Sequence, residues 1–127
     1  MDVNVIMPEL EIHCTPLEEI AIDPYCIKIS FDDINENRYE IIVKPYQALR
    51  ITTIDCVSAQ EFYNDYCYRD GRFHRHILQI DNSVYLKELI AKSENADFIK
   101  KSKHYLLPMQ DIIIEFISDR YQIQKIQ

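Results

Sequence analysis

Four histidines and four cysteines are the residues of this chain with the chemistry for metal binding, proton transfer or nucleophilic attack. His74 and His76 flank Arg75, so on an extended segment both imidazoles share one face. Two imidazoles can begin a zinc site, but a catalytic zinc usually needs a third protein ligand. No HExxH pattern is present, and His13 and Cys14 are adjacent, which on a strand points them to opposite faces. The expectation is no metal, with His74 and His76 as surface histidines near a strand start. Cys14, Cys26, Cys56 and Cys67 are spaced by 12, 30 and 11 residues, with no CxxC. That spacing predicts reduced thiols buried as small hydrophobes, with two disulfides as the alternative. No local signature surrounds any cysteine, so a Cys–His nucleophile is not expected. His74 or His76 with His104 could in principle cleave RNA by acid–base steps. The pairs Glu18-Glu19 and Asp32-Asp33 read as solvated charge in an arm and a turn.

Charge argues against a nucleic-acid substrate. The formal net charge is −7. Residues 1–66 hold 13 acids against 4 bases, and residues 67–127 hold 8 against 10. Phosphate contacts come from Lys and Arg, so an acidic chain is steered away from nucleic acid. Arg69, Arg72 and Arg75, interleaved with Tyr66, Tyr68 and Phe73, form the one basic cluster with aromatics, and its arginines can equally pair with the chain's own acids. The lone glycine, Gly71, leaves no glycine-rich phosphate loop. No cofactor is expected and no enzyme.

The elements that must position these residues follow from periodicity. Residues 26–31 alternate with Ile27, Ile29 and Phe31 on one face, which predicts a half-buried strand. A turn-rich stretch at 32–37 and a second strand at 38–44 complete a hairpin. A third strand is expected at 49–57. Ser58 and Glu61 match a capping box for a short helix from Ala59 to about Tyr66. Residues 69–72 read as a turn and 76–80 as a fourth strand. Asp81-Asn82-Ser83 can cap a helix at 84–94, with Glu88 and Lys92 paired at i,i+4. Residues 95–102 read as short helix or loop. Strands are expected at 104–107, 112–117 and 121–126.

Residues 1–24 hold three prolines and read as an irregular arm, with a short strand at 3–7 and one helical turn after the Thr15-Pro16 cap. The sum is one α+β domain over 1–127. It would contain a single, mainly antiparallel sheet of about five to seven strands with two or three helices on one face. No apolar run reaches the roughly 18–20 residues of a membrane span. The N-terminus lacks a secretory pattern, so a cytoplasmic location is expected.

The string Asp81-Asn82-Ser83-Val84-Tyr85-Leu86, then His104-Tyr105, then residues 111–117, resembles small bacterial proteins encoded beside polymorphic toxins. These include immunity proteins of contact-dependent growth inhibition systems. The similar part spans residues 76–117. The resemblance implies a cytoplasmic, acidic protein that binds a toxin domain, often a basic nuclease, and occludes its active site. It carries over no functional residues. The chain's own residues suggest where such a partner would bind. Carboxylates from the acidic half, such as Glu36 and Glu40 on the hairpin or Asp65 and Asp70 near the helix end, would replace substrate phosphates, and Tyr63, Tyr66, Tyr68 and Phe73 would supply an apolar anchor. The alternative is a non-catalytic interaction or regulatory subunit of another bacterial complex.

Overall fold

Alternating side chains build the central hairpin of the chain. In the computed structural model, which describes residues 2–13 and 18–126, β3 (Ile27–Asp32) and β4 (Arg38–Val43) pair antiparallel. Ile27 lies opposite Val43 and Ile29 opposite Ile41, all four fully buried. Burial of one such side chain contributes about 1.5–3 kcal/mol. The turn between the strands is held by Asp33, whose Oδ1 accepts from the amides of Asn35 and Asn37 at 2.9 and 2.8 Å. β2 (Glu19–Ile22) and β11 (Gln122–Lys125) add the edges, giving a four-stranded sheet in the order β11-β4-β3-β2.

A second sheet has five strands. They are β1 (Asp2–Val5), β5 (Ala48–Thr53), β8 (Leu78–Asp81), β9 (Lys103–Pro108) and β10 (Ile112–Ser118), in the order β1-β8-β9-β10-β5, all antiparallel. Tyr105, Leu107, Ile114 and Phe116 of this sheet share one core with Ile27, Ile29, Phe31, Ile41 and Val43 of the first. The two sheets therefore pack face to face. Leu78, Ile80, Leu106 and Ile113 point the other way and form a second core with Phe62 and Cys67. The five-stranded sheet is the middle layer, which is why β9 and β10 are buried on both faces and read as continuous apolar runs.

The outer layer is made of short pieces. Three 3₁₀ turns (Ile54–Cys56, Ala59–Phe62 and Asp65–Cys67) lead into a small hairpin of β6 (Tyr68–Arg69) and β7 (Arg72–Phe73). Asp70 and Gly71 turn it with φ of 57° and 75°, the left-handed geometry a two-residue hairpin requires. α1 (Val84–Lys92) and α2 (Ala96–Ile99) follow.

Several expectations are corrected. The strands form two stacked sheets and a hairpin, not one sheet, because both carry an apolar face of the same period. The N-terminal segment is not irregular throughout. It supplies β1 and β2, one edge of each large sheet, and the Thr15-Pro16 turn falls outside the described residues. β5 stops at Thr53 rather than residue 57. The expected helix at 59–66 is broken into two 3₁₀ turns, each capped by its own side chain: Ser58 accepts from the Gln60 amide and Asn64 from the Tyr66 amide. His74 and His76 are buried, not surface groups. Of the described cysteines, Cys67 is buried, Cys26 half-buried and Cys56 exposed, all with free thiols, and Cys14 lies outside the described residues.

Candidate functional site

Two neighbouring features occupy the outer layer, and the 3₁₀ turn Ala59–Phe62 joins them. The first is an exposed aromatic patch. Phe62 is buried and meets Phe73 edge-on at 5.8 Å. Tyr68 packs on Phe73 at 5.1 Å and stacks on Tyr63 at 5.1 Å. Tyr66 lies under the Arg69 guanidinium at 4.2 Å. Tyr63, Tyr66 and Tyr68 nonetheless keep 48, 44 and 43% of their surface in water, although Tyr63 and Tyr68 stack on each other and Tyr66 packs on His76 and Arg69. Asp65 and Asp70 are exposed, Asp65 on the Tyr63 hydroxyl and Asp70 in the turn between β6 and β7. A hydrogen bond to Asp65 holds the Tyr63 hydroxyl above the ordinary tyrosine range.

The patch has a rigid support. Arg69 donates to the Tyr66 carbonyl at 2.6 Å and pairs with Glu11 at 3.3 Å. His74 Nδ1 meets the same Glu11 carboxylate at 2.9 Å. His76 donates from Nδ1 to the Leu10 carbonyl at 2.7 Å and accepts from Arg69 at Nε2, 3.1 Å away. Burial, partly opposed by the Leu10 hydrogen bond, holds His76 below the ordinary histidine range. These histidines fix the loop. Neither is arranged as a metal ligand, and among the described residues no group of three or more His, Cys, Asp or Glu side chains could hold a metal ion.

The expected partner-binding residues thus divide. Tyr63, Tyr68 and Phe73 come together in ring contact with Asp65 on the Tyr63 hydroxyl, while Tyr66 packs beside them on Arg69 and His76 and Asp70 turns the hairpin that carries Tyr68 and Phe73. Glu36 and Glu40 do not join them in one cluster. Glu36 is exposed at φ 64° in the β3–β4 turn, and Glu40 lies on β4, where Gln124 of β11 donates to it at 3.3 Å.

The second feature is a pocket of about 450 Å³, within the roughly 300–1,000 Å³ typical of small-molecule sites. The sheet forms its floor, α1 one wall and the segment carrying Val57 and Glu61 the other. A hydrogen-bonded chain crosses the floor. Arg50 on β5 stands opposite Glu115 on β10 and donates from Nε and Nη2 to Oε2 and Oε1 at 2.8 and 2.9 Å. His104 Nε2 donates to Glu115 Oε1 at 2.9 Å. His104 Nδ1 lies 2.7 Å from Ser83 Oγ, which caps α1 by accepting from the Leu86 amide at 3.0 Å. A carboxylate accepts only, so the His104 proton sits on Nε2, and in the neutral ring Nδ1 accepts the Ser83 proton. Burial pushes the Glu115 carboxyl up, but the bonds from His104 and Arg50 outweigh it and hold it below the usual range. Tyr85 meets His104 edge-on at 5.5 Å and carries Arg50 over its face at 4.0 Å.

Sequence reasoning missed this chain of four. One signal was present: Glu115 inside the run Ile112–Ile117 is a charge in a strand too apolar to be exposed, so it needed a buried partner. Comparison with known protein families, curated proteins and solved structures finds no match to this chain.

Proposed function

We propose that this chain is an immunity-type protein. It binds a cognate toxin domain of basic character and occludes its active site, adding no chemistry to that inhibition. The observation that carries this reading is the exposed cluster of Tyr63, Tyr66 and Tyr68 with Asp65 and Asp70 beside it. Tyrosines held by neighbours lose little entropy on binding, and a ring buried at an interface centre contributes about 2 kcal/mol or more. The two aspartates and the net charge of −7 supply attraction to a basic surface, which raises the association rate and weakens with salt. The resemblance of residues 76–117 to immunity proteins points the same way.

The test is a tagged pull-down from the native host at low and high salt, followed by co-expression with whatever basic chain is captured. A stoichiometric basic polypeptide, held less firmly at high salt and toxic unless this chain is present, supports the proposal. Stoichiometric capture of a non-toxic polypeptide would instead make the chain a regulatory subunit of another complex.

A further inference from the structure

From the pocket beside the patch we infer a second activity, independent of partner binding: Ser83 is a nucleophile for acyl transfer, with His104 as its base and Glu115 orienting that base. The geometry is that of a three-group relay. Ser83 Oγ is 2.7 Å from His104 Nδ1, and His104 Nε2 is 2.9 Å from Glu115 Oε1. All three groups are nine-tenths or more buried and all line the same cavity. The relay is recognised by such distances and roles, whichever imidazole nitrogen faces the serine. Ser83 also sits where a strand turns into a helix, between β8 and α1, after Asn82 at φ 53°. The amides of Val84 and Tyr85 in the first turn of α1 have no intrahelical acceptor, so they are available to an oxyanion formed at Ser83. Arg50 locks Glu115 through two hydrogen bonds and keeps it ionised in place.

The chemistry balances as ester hydrolysis. Oγ bonds to the substrate carbonyl carbon while its proton passes to His104 Nδ1. The alcohol leaves with that proton. Water then attacks the acyl-serine, gives a proton to His104, and the proton returns to Ser83 Oγ as the acid departs. The lining sets the substrate class. Val57, Ile80, Val84 and Leu106 suit a short apolar acyl group, and Glu61 and Glu88 disfavour an anionic one, so the substrate is a neutral or cationic small ester or thioester.

The test treats the full chain with a fluorophosphonate probe and with p-nitrophenyl butyrate, and maps the modified residue by mass spectrometry. Ser83→Asn is the control, because Asn caps a helix as well as Ser but has no hydroxyl. His104→Gln tests the base. The expected result is modification at Ser83, saturable hydrolysis, and roughly a hundredfold or greater loss in both variants with far-UV circular dichroism unchanged. Should the wild-type chain carry no label on Ser83, or should folded Ser83→Asn hydrolyse the ester as fast as the wild type, the inference is overturned.

Discussion

Replacing Glu115 by Gln isolates the charge at the centre of the polar chain. Gln keeps the shape and one acceptor for His104 Nε2, but it cannot hold Arg50 through two charge-assisted bonds. Breaking a fully buried pair costs about 3–5 kcal/mol, whereas an exposed pair is worth about 0–1 kcal/mol. The pair here lies between those limits, since the Glu115 side chain is 7% exposed and that of Arg50 46%. The expected loss is therefore about 2 kcal/mol at neutral pH.

Arg50→Met leaves the carboxylate buried with His104 alone and is expected to cost a similar amount. The double variant should lose clearly less than the sum. The assay is urea unfolding followed by circular dichroism, since the chain has no tryptophan. With a slope of about 1–3 kcal/mol per molar urea, the midpoint falls by about 1 M. Because the folded carboxyl titrates below its ordinary value of 4.5, its stabilisation is present above that pH and is lost as pH falls through the folded value. The gap between wild type and Glu115→Gln should close in acid. A loss under about 0.5 kcal/mol at pH 7, or a gap that widens in acid, would refute the account of this site.

Other outcomes follow from single residues. Changing Tyr63, Tyr66 and Tyr68 together to Ser should lower stability by about 2–4 kcal/mol in the same urea assay and still leave the chain folded in water, because slightly more than half of each ring is covered. With a thiol reagent at pH 8, Cys56 should react at once. Cys67, buried and with its thiol pushed up to about 11, should react only on unfolding, which mass spectrometry of the labelled chain will report. Gly71→Ala should destabilise by about 1 kcal/mol in the same urea assay, although nothing lies within 4 Å of the added Cβ, because φ is +75°.

The β3–β4 hairpin, β9, β10 and the Ser83 cap of α1 were legible because each is set by local pattern: alternation, an apolar run, or a capping side chain next to its amide. The split into two sheets was not. Ile29 and Ile114 belong to one core but lie 85 positions apart, and alternation says only that a face is buried, not against what. β2 escaped notice because it is a short edge strand with Ile22 exposed. His74 and His76 looked like surface groups because their partners, Glu11 and Leu10, come from the far N-terminal segment. The aromatic cluster was visible because Tyr63, Tyr66, Tyr68 and Phe73 are close in sequence. Glu36 and Glu40 were placed on the β3–β4 hairpin by the same alternation that reveals its strands.

The measurement that bears most directly on the proposed function is a side-by-side pull-down of the wild-type chain and the Tyr63/Tyr66/Tyr68→Ser variant, both shown to be folded, against the same host lysate. The account predicts that the wild type retains a stoichiometric basic polypeptide and the variant loses it. Equal retention by the two proteins would contradict the claim that this patch is the binding surface.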